Sequence, residues 1–214
     1  MTTTIRTVAV IGPGNVGGDL GTRLAASGVR VTFGVRGGKD LPKLAGPNVG
    51  FASPAEAAAH ADAIVLALPA NVVVDVARGL GDLEGKIVVD ANNCLKMDRG
   101  PVWNPPPEGS LAQAIAAAVP SARVVKAFNT FGHEYHGDPR TAAGPVTVPI
   151  AGDDADAKAA IAELARTAGF APVDCGPLRN AGLLENLAIL WIHLAMAGGQ
   201  GREIAWQLVG RPPA

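Results

Sequence analysis

Val8-Ala9-Val10-Ile11-Gly12-Pro13-Gly14-Asn15-Val16-Gly17 runs from an apolar strand into a glycine-rich turn, and Gly18-Asp19-Leu20-Gly21-Thr22-Arg23-Leu24-Ala25 continues as an amphipathic helix. Gly12, Gly14 and Gly17 fit G-x-G-x-x-G. In that pattern the first glycine allows a sharp turn, the second lets backbone approach a pyrophosphate, and the third packs the helix tightly on its strand. The free N–H groups and positive dipole end of the helix face the phosphates. In a chain with 27 glycines the triplet alone says little. Its setting says more: an aliphatic run before it, Val16, Leu20 and Leu24 at helical spacing after it, and a second strand, Val29–Phe33, beyond Ser27-Gly28. The pattern predicts a dinucleotide site, against the blander reading of a structural turn in another α/β protein.

The end of the second strand decides between nucleotides. NAD sites usually place Asp or Glu there to accept from the ribose 2′-hydroxyl. This chain reads Gly34-Val35-Arg36-Gly37-Gly38-Lys39, with no carboxylate before Asp40. Arg36 offers a planar fork and Lys39 a point charge for a 2′-phosphate. NADP(H) is therefore the expected cofactor; the alternative is that both are solvated loop cations.

At 214 residues the chain is long enough for one large domain, or one domain with a small appendage. A formal net charge of −1 argues against nucleic acid or an anionic membrane as a general partner. Apolar residues make up 48%, with alanine and valine in excess, and no run approaches the roughly 18 that a membrane span needs. Met1-Thr2-Thr3-Thr4-Ile5-Arg6 lacks a signal peptide's apolar centre, so a cytoplasmic location is expected. Cys94 and Cys175 have no metal or redox spacing and read as packed thiols.

Apolar runs and helix signals then alternate. Lys39–Ala45 reads as a short helix or turn closed by Gly46-Pro47, and Asn48–Phe51 as a third strand. Ser53 supplies a hydroxyl N-cap and Pro54 the first position of a helix reaching His60. Ala63–Leu68, unbroken between Asp62 and Pro69, reads as a strand buried on both faces beside the first. The loop after it falls at the topological switch point, making Leu68, Pro69 and Asn71 candidates for touching the nicotinamide or its ribose. Asn71 equally fits the cap of a helix from Val72 to Leu80. Gly85–Asp90 is a fifth strand that ends in Ala91-Asn92-Asn93 at the same edge.

Cys94–Gly109, carrying Pro101, Trp103, Pro105, Pro106 and Pro107, breaks the alternation and reads either as a flap over the site or as a surface excursion. Ser110 caps an alanine-rich helix to Val119, and Ala122–Phe128 is the sixth strand of a doubly wound pattern. Its end, Asn129-Thr130-Phe131-Gly132-His133-Glu134-Tyr135-His136, holds polar and aromatic groups suited to a planar substrate. His133, Glu134 and His136 lack a further ligand at metal spacing, so no metal is expected. Val146–Gly152 and Phe170–Asp174 add two strands around a helix started by Asp153 or Asp154, giving a mainly parallel α/β sheet of about eight strands. The chain thus divides into a nucleotide-binding part, residues 1–176, and a small helical part, residues 177–214. In the latter, Leu183, Leu187, Leu190 and Leu194 share one face, with Leu184, Ile189 and Ile192 around it. A helix apolar over so much of its circumference needs two covering surfaces, here the sheet and a second subunit of a homodimer.

Four pieces spanning nearly the whole chain carry a family likeness: Val10–Gly17, Gly34-Val35-Arg36, Ile150-Ala151-Gly152-Asp153-Asp154-Ala155-Asp156-Ala157-Lys158, and Val173-Asp174-Cys175-Gly176-Pro177-Leu178-Arg179-Asn180-Ala181-Gly182-Leu183-Leu184-Glu185. With them the chain resembles the NADP oxidoreductases that depend on the deazaflavin coenzyme F420, relatives of the ferrireductase domain of the STEAP metalloreductases. The resemblance implies a Rossmann fold and hydride transfer between C4 of nicotinamide and C5 of a deazaflavin. Such a reaction asks little acid–base chemistry of the protein, so no catalytic side chain is expected. The likeness puts Arg36 at the 2′-phosphate and Asn71 in the nicotinamide-side loop. At the positions that line the acceptor pocket, Asp90-Ala91-Asn92-Asn93 and Asn129-Thr130 depart from the archaeal members' pattern, and Lys126-Ala127-Phe128-Asn129-Thr130 looks more like the bacterial and metalloreductase branches. The acceptor therefore stays open between F420 and a flavin such as FMN.

The expected cofactor-binding set is Gly12, Gly14, Asn15, Val16, Gly17, Arg36, Lys39, Leu68, Pro69, Asn71, Ala91, Asn92 and Asn129. Two other functions fit the same fold. A reductase of a small carbonyl or imine would need a proton donor, for which His133, Tyr135 or Lys126 are available. A redox sensor would hold NADP without turnover.

Overall fold

The computed structural model describes residues 4–38 and 41–210. Its frame is a twisted eight-stranded sheet. In chain order the strands and helices of the first half are β1 (Thr7–Ile11), α1 (Asn15–Ala26), β2 (Arg30–Gly34), β3 (Val49–Ala52), α2 (Pro54–Ala59), β4 (Ala63–Leu66), α3 (Ala70–Arg78) and β5 (Ile87–Asp90). A hairpin of β6 (Leu95–Met97) and β7 (Pro101–Trp103) follows, then α4 (Leu111–Ala118), β8 (Arg123–Lys126) and α5 (His133–Gly137). A second hairpin, β9 (Arg140–Thr141) and β10 (Gly144–Pro145), leads to β11 (Thr147–Gly152), α6 (Ala155–Thr167), β12 (Ala171–Asp174) and α7 (Ala181–Ile192).

The sheet order is β12-β11-β8-β5-β4-β1-β2-β3. The six strands from β8 to β3 are parallel, whereas β11 runs antiparallel to β8 and carries β12 parallel to itself. This is the expected mainly parallel α/β sheet. The order reverses between β1 and β4, so the crevice outside their carboxyl ends is the switch point where α/β sheets bind ligands. Alternation along β1 explains why both faces need helices. Val8 and Val10 join one core with Leu20 and Leu24 of α1 and Ile161 and Leu164 of α6; Ala9 and Ile11 join another with Val73 of α3 and Ile115 of α4.

The helix starts follow the capping chemistry. Ser53 and Glu56 form a reciprocal capping box at α2, Ser110 accepts from Gln113 N–H at α4, and Asp154 rather than Asp153 caps α6 at 2.6 Å from Ala157 N. Asp153 instead accepts from Leu178 N–H at 2.8 Å. The segment 94–109 is less irregular than its prolines imply. It closes as the β6–β7 hairpin around Arg99 and Gly100, both at positive φ, and docks on α7.

Beyond α7 the path becomes π-helical over His193–Ala197, and the tail returns alongside β11, where Trp206 C=O accepts from Thr147 N–H at 3.3 Å. The helical stretch Leu178–Ala197 is 20 residues long, enough to cross a membrane by length and composition, which corrects the expectation that no segment approaches that limit. Helical turns add to α7 at both ends, and Arg179 and Glu185 are the two Asp, Glu, Lys or Arg residues in the stretch. In this fold its Ala181, Leu184, Ala188 and Trp191 face inward. Leu183, Leu190 and Met196 remain exposed.

Asp62 ties the start of β1 to β4, accepting from Arg6 and Thr7 N–H at 2.9 Å each. Burial pushes its carboxyl up, but these donors and the Thr7 hydroxyl outweigh that and hold it below its ordinary value. A depressed folded value means that the contribution is present above the ordinary range and is lost as pH falls through the folded one. Asp62→Asn should therefore unfold at lower urea than wild type at pH 7, with the gap shrinking towards pH 3.

Candidate active site

The three glycines do three different things. Gly12 sits at φ +98°, and a Cβ there would lie 2.2 Å from Ala67 O. A Cβ on Gly17 would lie 2.2 Å from Gly12 O, so α1 meets the turn backbone to backbone. At Gly14 a Cβ would meet nothing within 4 Å: this glycine faces open space. Gly14 is also the N-cap of α1 and supplies no side-chain cap, which leaves the first N–H groups for an outside acceptor. The residues present thus fit a diphosphate.

The open space is a cleft of about 340 Å³ lined by Gly14, Asn15, Val16, Ala67, Leu68, Pro69, Ala91, Asn92 and Asn93. A second hollow on the β2 side shares Gly14 and Asn15 with it and runs to Asp19 and Leu41–Leu44. A larger polar hollow, about 650 Å³, lies between α5, the β9–β10 hairpin and the tail, and the glycine turn has no part in it. The shared turn makes the first two the natural berth for an elongated nucleotide. Arg36, exposed, opens a tight turn after β2 with Gly37 at φ +76°. Lys39 lies outside the described residues. Asn71 is exposed in the first turn of α3, which begins at Ala70 with Pro69 in the cap position; it makes no cap bond, so of its two readings the capping one fails.

The floor of the cleft rests on a charge cluster. Register aligns Leu66, Asp90 and Lys126 across β4, β5 and β8, so Asp90 and Lys126 are cross-strand neighbours. Lys126 Nζ donates to Asp90 Oδ2 at 2.8 Å, to Asn92 C=O at 2.5 Å and to Glu185 Oε1 of α7 at 3.0 Å, with all three charged groups fully buried. Glu185 also accepts from Leu111 N–H and Trp103 Nε1–H, both at 2.9 Å. Trp103 is thereby held against α7 rather than presented to a ligand. Asn92 Nδ2 donates to Asp90 Oδ1 at 2.7 Å, while its Oδ1 accepts from Leu68 N–H at 2.6 Å. Asn92 thus both lines the cleft and ties its two walls together.

Asn129 joins the same edge: its Nδ2 donates to Asn93 Oδ1 at 2.8 Å and Leu184 C=O at 3.1 Å, and Asn93 Nδ2 donates back to Asn129 C=O. Asn129 Oδ1 and Thr130 Oγ1 are buried without a partner. Just before them Phe128 holds φ +62°, a conformation rare for a bulky residue that clusters at functional sites. His136 braces it, with Nε2 2.8 Å from Phe128 O. Burial pushes the His136 imidazole down, opposed by the carbonyls of Phe128 and Gly132.

His133, Glu134 and His136 do not converge on a common point. His133 Nδ1 meets Asp19 at 2.8 Å and Glu134 pairs with Arg202, while His136 faces backbone carbonyls. Among the described residues no group of three metal-ligating side chains comes together. Of the candidate proton donors, Lys126 is enclosed in the charge cluster, His133 pairs with Asp19, and Tyr135 faces the 650 Å³ hollow. Cys94 and Cys175 are free, partly buried thiols, both pushed up by burial.

A doubly wound sheet with a bare glycine turn at its switch point defines a dinucleotide-binding fold. Comparison with known proteins gives the particular group. The family model described as NADP oxidoreductase, coenzyme F420-dependent, matches residues 7–94. A crystal structure of a proposed F420-dependent NADP reductase from Arthrobacter sp. FB24 superposes with TM-score 0.80 and 33% identity, over 92% of this chain and 96% of that one. The F420-dependent NADP reductase of Methanothermobacter thermautotrophicus is 29% identical over 87% of this chain and 88% of its own. Metalloreductase STEAP3 of Rattus norvegicus is 31% identical over 85% of this chain, which spans 36% of that protein. The chain belongs to the F420-dependent NADP oxidoreductase family.

Two stability tests separate architecture from site. Lys126→Met leaves two carboxylates buried together and should cost about 3–5 kcal/mol in urea unfolding. Gly17→Ala should melt well below wild type, because its Cβ would press on Gly12 O at 2.2 Å.

Proposed function

We propose that this oxidoreductase passes a hydride between NADP(H) and a deazaflavin or flavin ring in the cleft between the glycine turn and the Asn92–Asn93 edge. The observation that carries this reading is the combination of Gly14, bare toward the cleft, with an opposite wall built from amides locked to one another rather than from an acid–base pair. When bound, the nicotinamide supplies the hydride chemistry, and the chain supplies position. In this reading the Gly12–Gly17 turn, with Asn15 and Val16 at the head of α1, receives the diphosphate. Arg36 and Lys39 recognise the 2′-phosphate. Leu68, Pro69 and Asn71 border the nicotinamide, and Ala91, Asn92 and Asn129 hold the side where the second ring stacks.

In this reading residues 1–176 form the nucleotide-binding part, and in the helical part, residues 177–214, Glu185 braces the Asn92 wall from behind while the exposed Leu183 and Leu190 meet a second copy, so sedimentation should find a dimer. The protein is expected to work in the cytoplasm. Coenzyme F420 is favoured by the family likeness, with FMN as the alternative acceptor. Reduction of a carbonyl or imine is disfavoured, because Lys126, His133 and Tyr135 do not line the cleft.

Following NADPH absorbance with F420, FMN, a ferric chelate and a cyclic imine as separate acceptors tests the reading. Rapid oxidation with F420 or FMN is expected. Tight NADPH binding with no oxidation by any of them would overturn it in favour of a sensor. Arg36→Ala should weaken NADPH by about 1.5–3 kcal/mol and leave NADH nearly unchanged, as loss of a charged hydrogen bond requires. Gly14→Val should abolish nucleotide binding while melting like wild type, because its side chain enters the open cleft and not the protein.

A further inference from the structure

Asp90, Lys126 and Glu185 bring two carboxylates against one ammonium into a fully buried site. Their hydrogen bonds define their charges. Asp90 accepts from Lys126 Nζ, Asn92 N–H at 3.0 Å and Asn92 Nδ2, while Glu185 accepts from Lys126 Nζ, Leu111 N–H and Trp103 Nε1–H. Each carboxylate is thus met by three donors, a setting with no acceptor for a carboxylic proton. The three N–H bonds of an ammonium match the three acceptors around Lys126 Nζ. The cluster therefore carries a formal charge of −1, which the dipoles of Leu111 N–H and Trp103 N–H offset only in part.

An unbalanced buried charge is costly, and apolar residues would join the same elements more cheaply. Its location gives it a use. Asn92 is bonded to the cluster through its carbonyl, its N–H and its Nδ2, and to Leu68 N–H through its Oδ1. Asn92 and Leu68 both line the cleft. The negative charge thus lies behind Asn92, whose side chain is bonded to Leu68 at the border that the proposed function gives to the nicotinamide.

We infer that the Asp90–Lys126–Glu185 cluster is a positioning element whose net negative charge tilts the bound nucleotide towards its oxidised form. This rests on the nicotinamide site proposed above. A dihydronicotinamide that gives up a hydride, one proton with two electrons, to the acceptor passes from a neutral ring to a pyridinium cation. A fixed anion behind the ring favours the product side of that change. At an effective dielectric of about 20, a unit charge within about 12 Å of the ring would alter such an equilibrium by about tenfold or more.

The test is the ratio of two affinities, which a purely structural role would not move. Calorimetry with NADP⁺ and with NADPH should give a wild type that binds NADP⁺ at least as tightly as NADPH. Glu185→Gln removes the net charge and should raise the ratio of the NADP⁺ to the NADPH dissociation constant about tenfold. Because the new amide N–H would face Trp103 N–H, the double variant Trp103→Phe/Glu185→Gln relieves that conflict and should show the same shift, whereas Trp103→Phe alone should not. Equal weakening of both nucleotides, an unchanged ratio in a folded variant, or a wild type that strongly prefers NADPH would overturn the inference. A wild type that binds neither nucleotide would instead overturn the site on which it rests.

Discussion

Between Gly12 and Gly17 there is room for main chain alone. The helix α1 can start where it does only because the third glycine presents hydrogen to a carbonyl, and the crevice between β1 and β4 stays open only because the second presents hydrogen to space. Both consequences arise from one steric fact, the close approach of a helix to the strand that feeds it. The parallel sheet supplies the rest: the strand order reverses between β1 and β4, so their connections leave to opposite faces and the first N–H groups of α1 look into the crevice between them.

The far wall of the gap is braced from behind by a part of the chain distant from it in sequence. Glu185, on α7, reaches Lys126 at the end of β8, and Lys126 reaches Asp90 and Asn92 at the end of β5. The same glutamate takes up Trp103 and the first N–H of α4. Three connections that would otherwise be independent loops are thus gathered at one fully buried point. The left-handed Phe128, clasped by His136, holds the loop beside them in a conformation that the chain alone would not choose.

Much of this could be read from residues in order. The eight sheet strands stand out because apolar runs such as Ala63–Leu68 and Val146–Gly152 are bounded by Asp, Gly or Pro, and because Ser53, Ser110 and Asp154 mark helix starts by a mechanism that works locally. Tertiary contacts decide what remained hidden. Leu95-Lys96-Met97 and Pro101-Val102-Trp103 are too short and too proline-broken to signal a hairpin, which α7 holds in place from outside. The charge cluster had a faint signal: Lys126 ends the apolar Val124-Val125 run, and Glu185 stands alone in Leu183–Ala188 but for Asn186. A single charge within an apolar stretch asks for a partner, but nothing local says that the partner is 59 residues away.

The reversal of β11 relative to β8 has a further effect. Gly152 pairs with Val125, and Asp154 lies 3.8 Å from Arg123, so the Asp153-Asp154 corner and the Leu178 turn bonded to it belong to the amino-terminal edge of the parallel strands. Glu185 belongs to the opposite edge, and the helix between works as a measuring rod. At about 1.5 Å and about 100° per residue, one residue inserted between Asn180 and Leu184 would both lengthen that rod and swing Glu185 a quarter-turn off Lys126. The count of residues between the Leu178 turn and Glu185 is thus set by the depth of the sheet that the helix crosses.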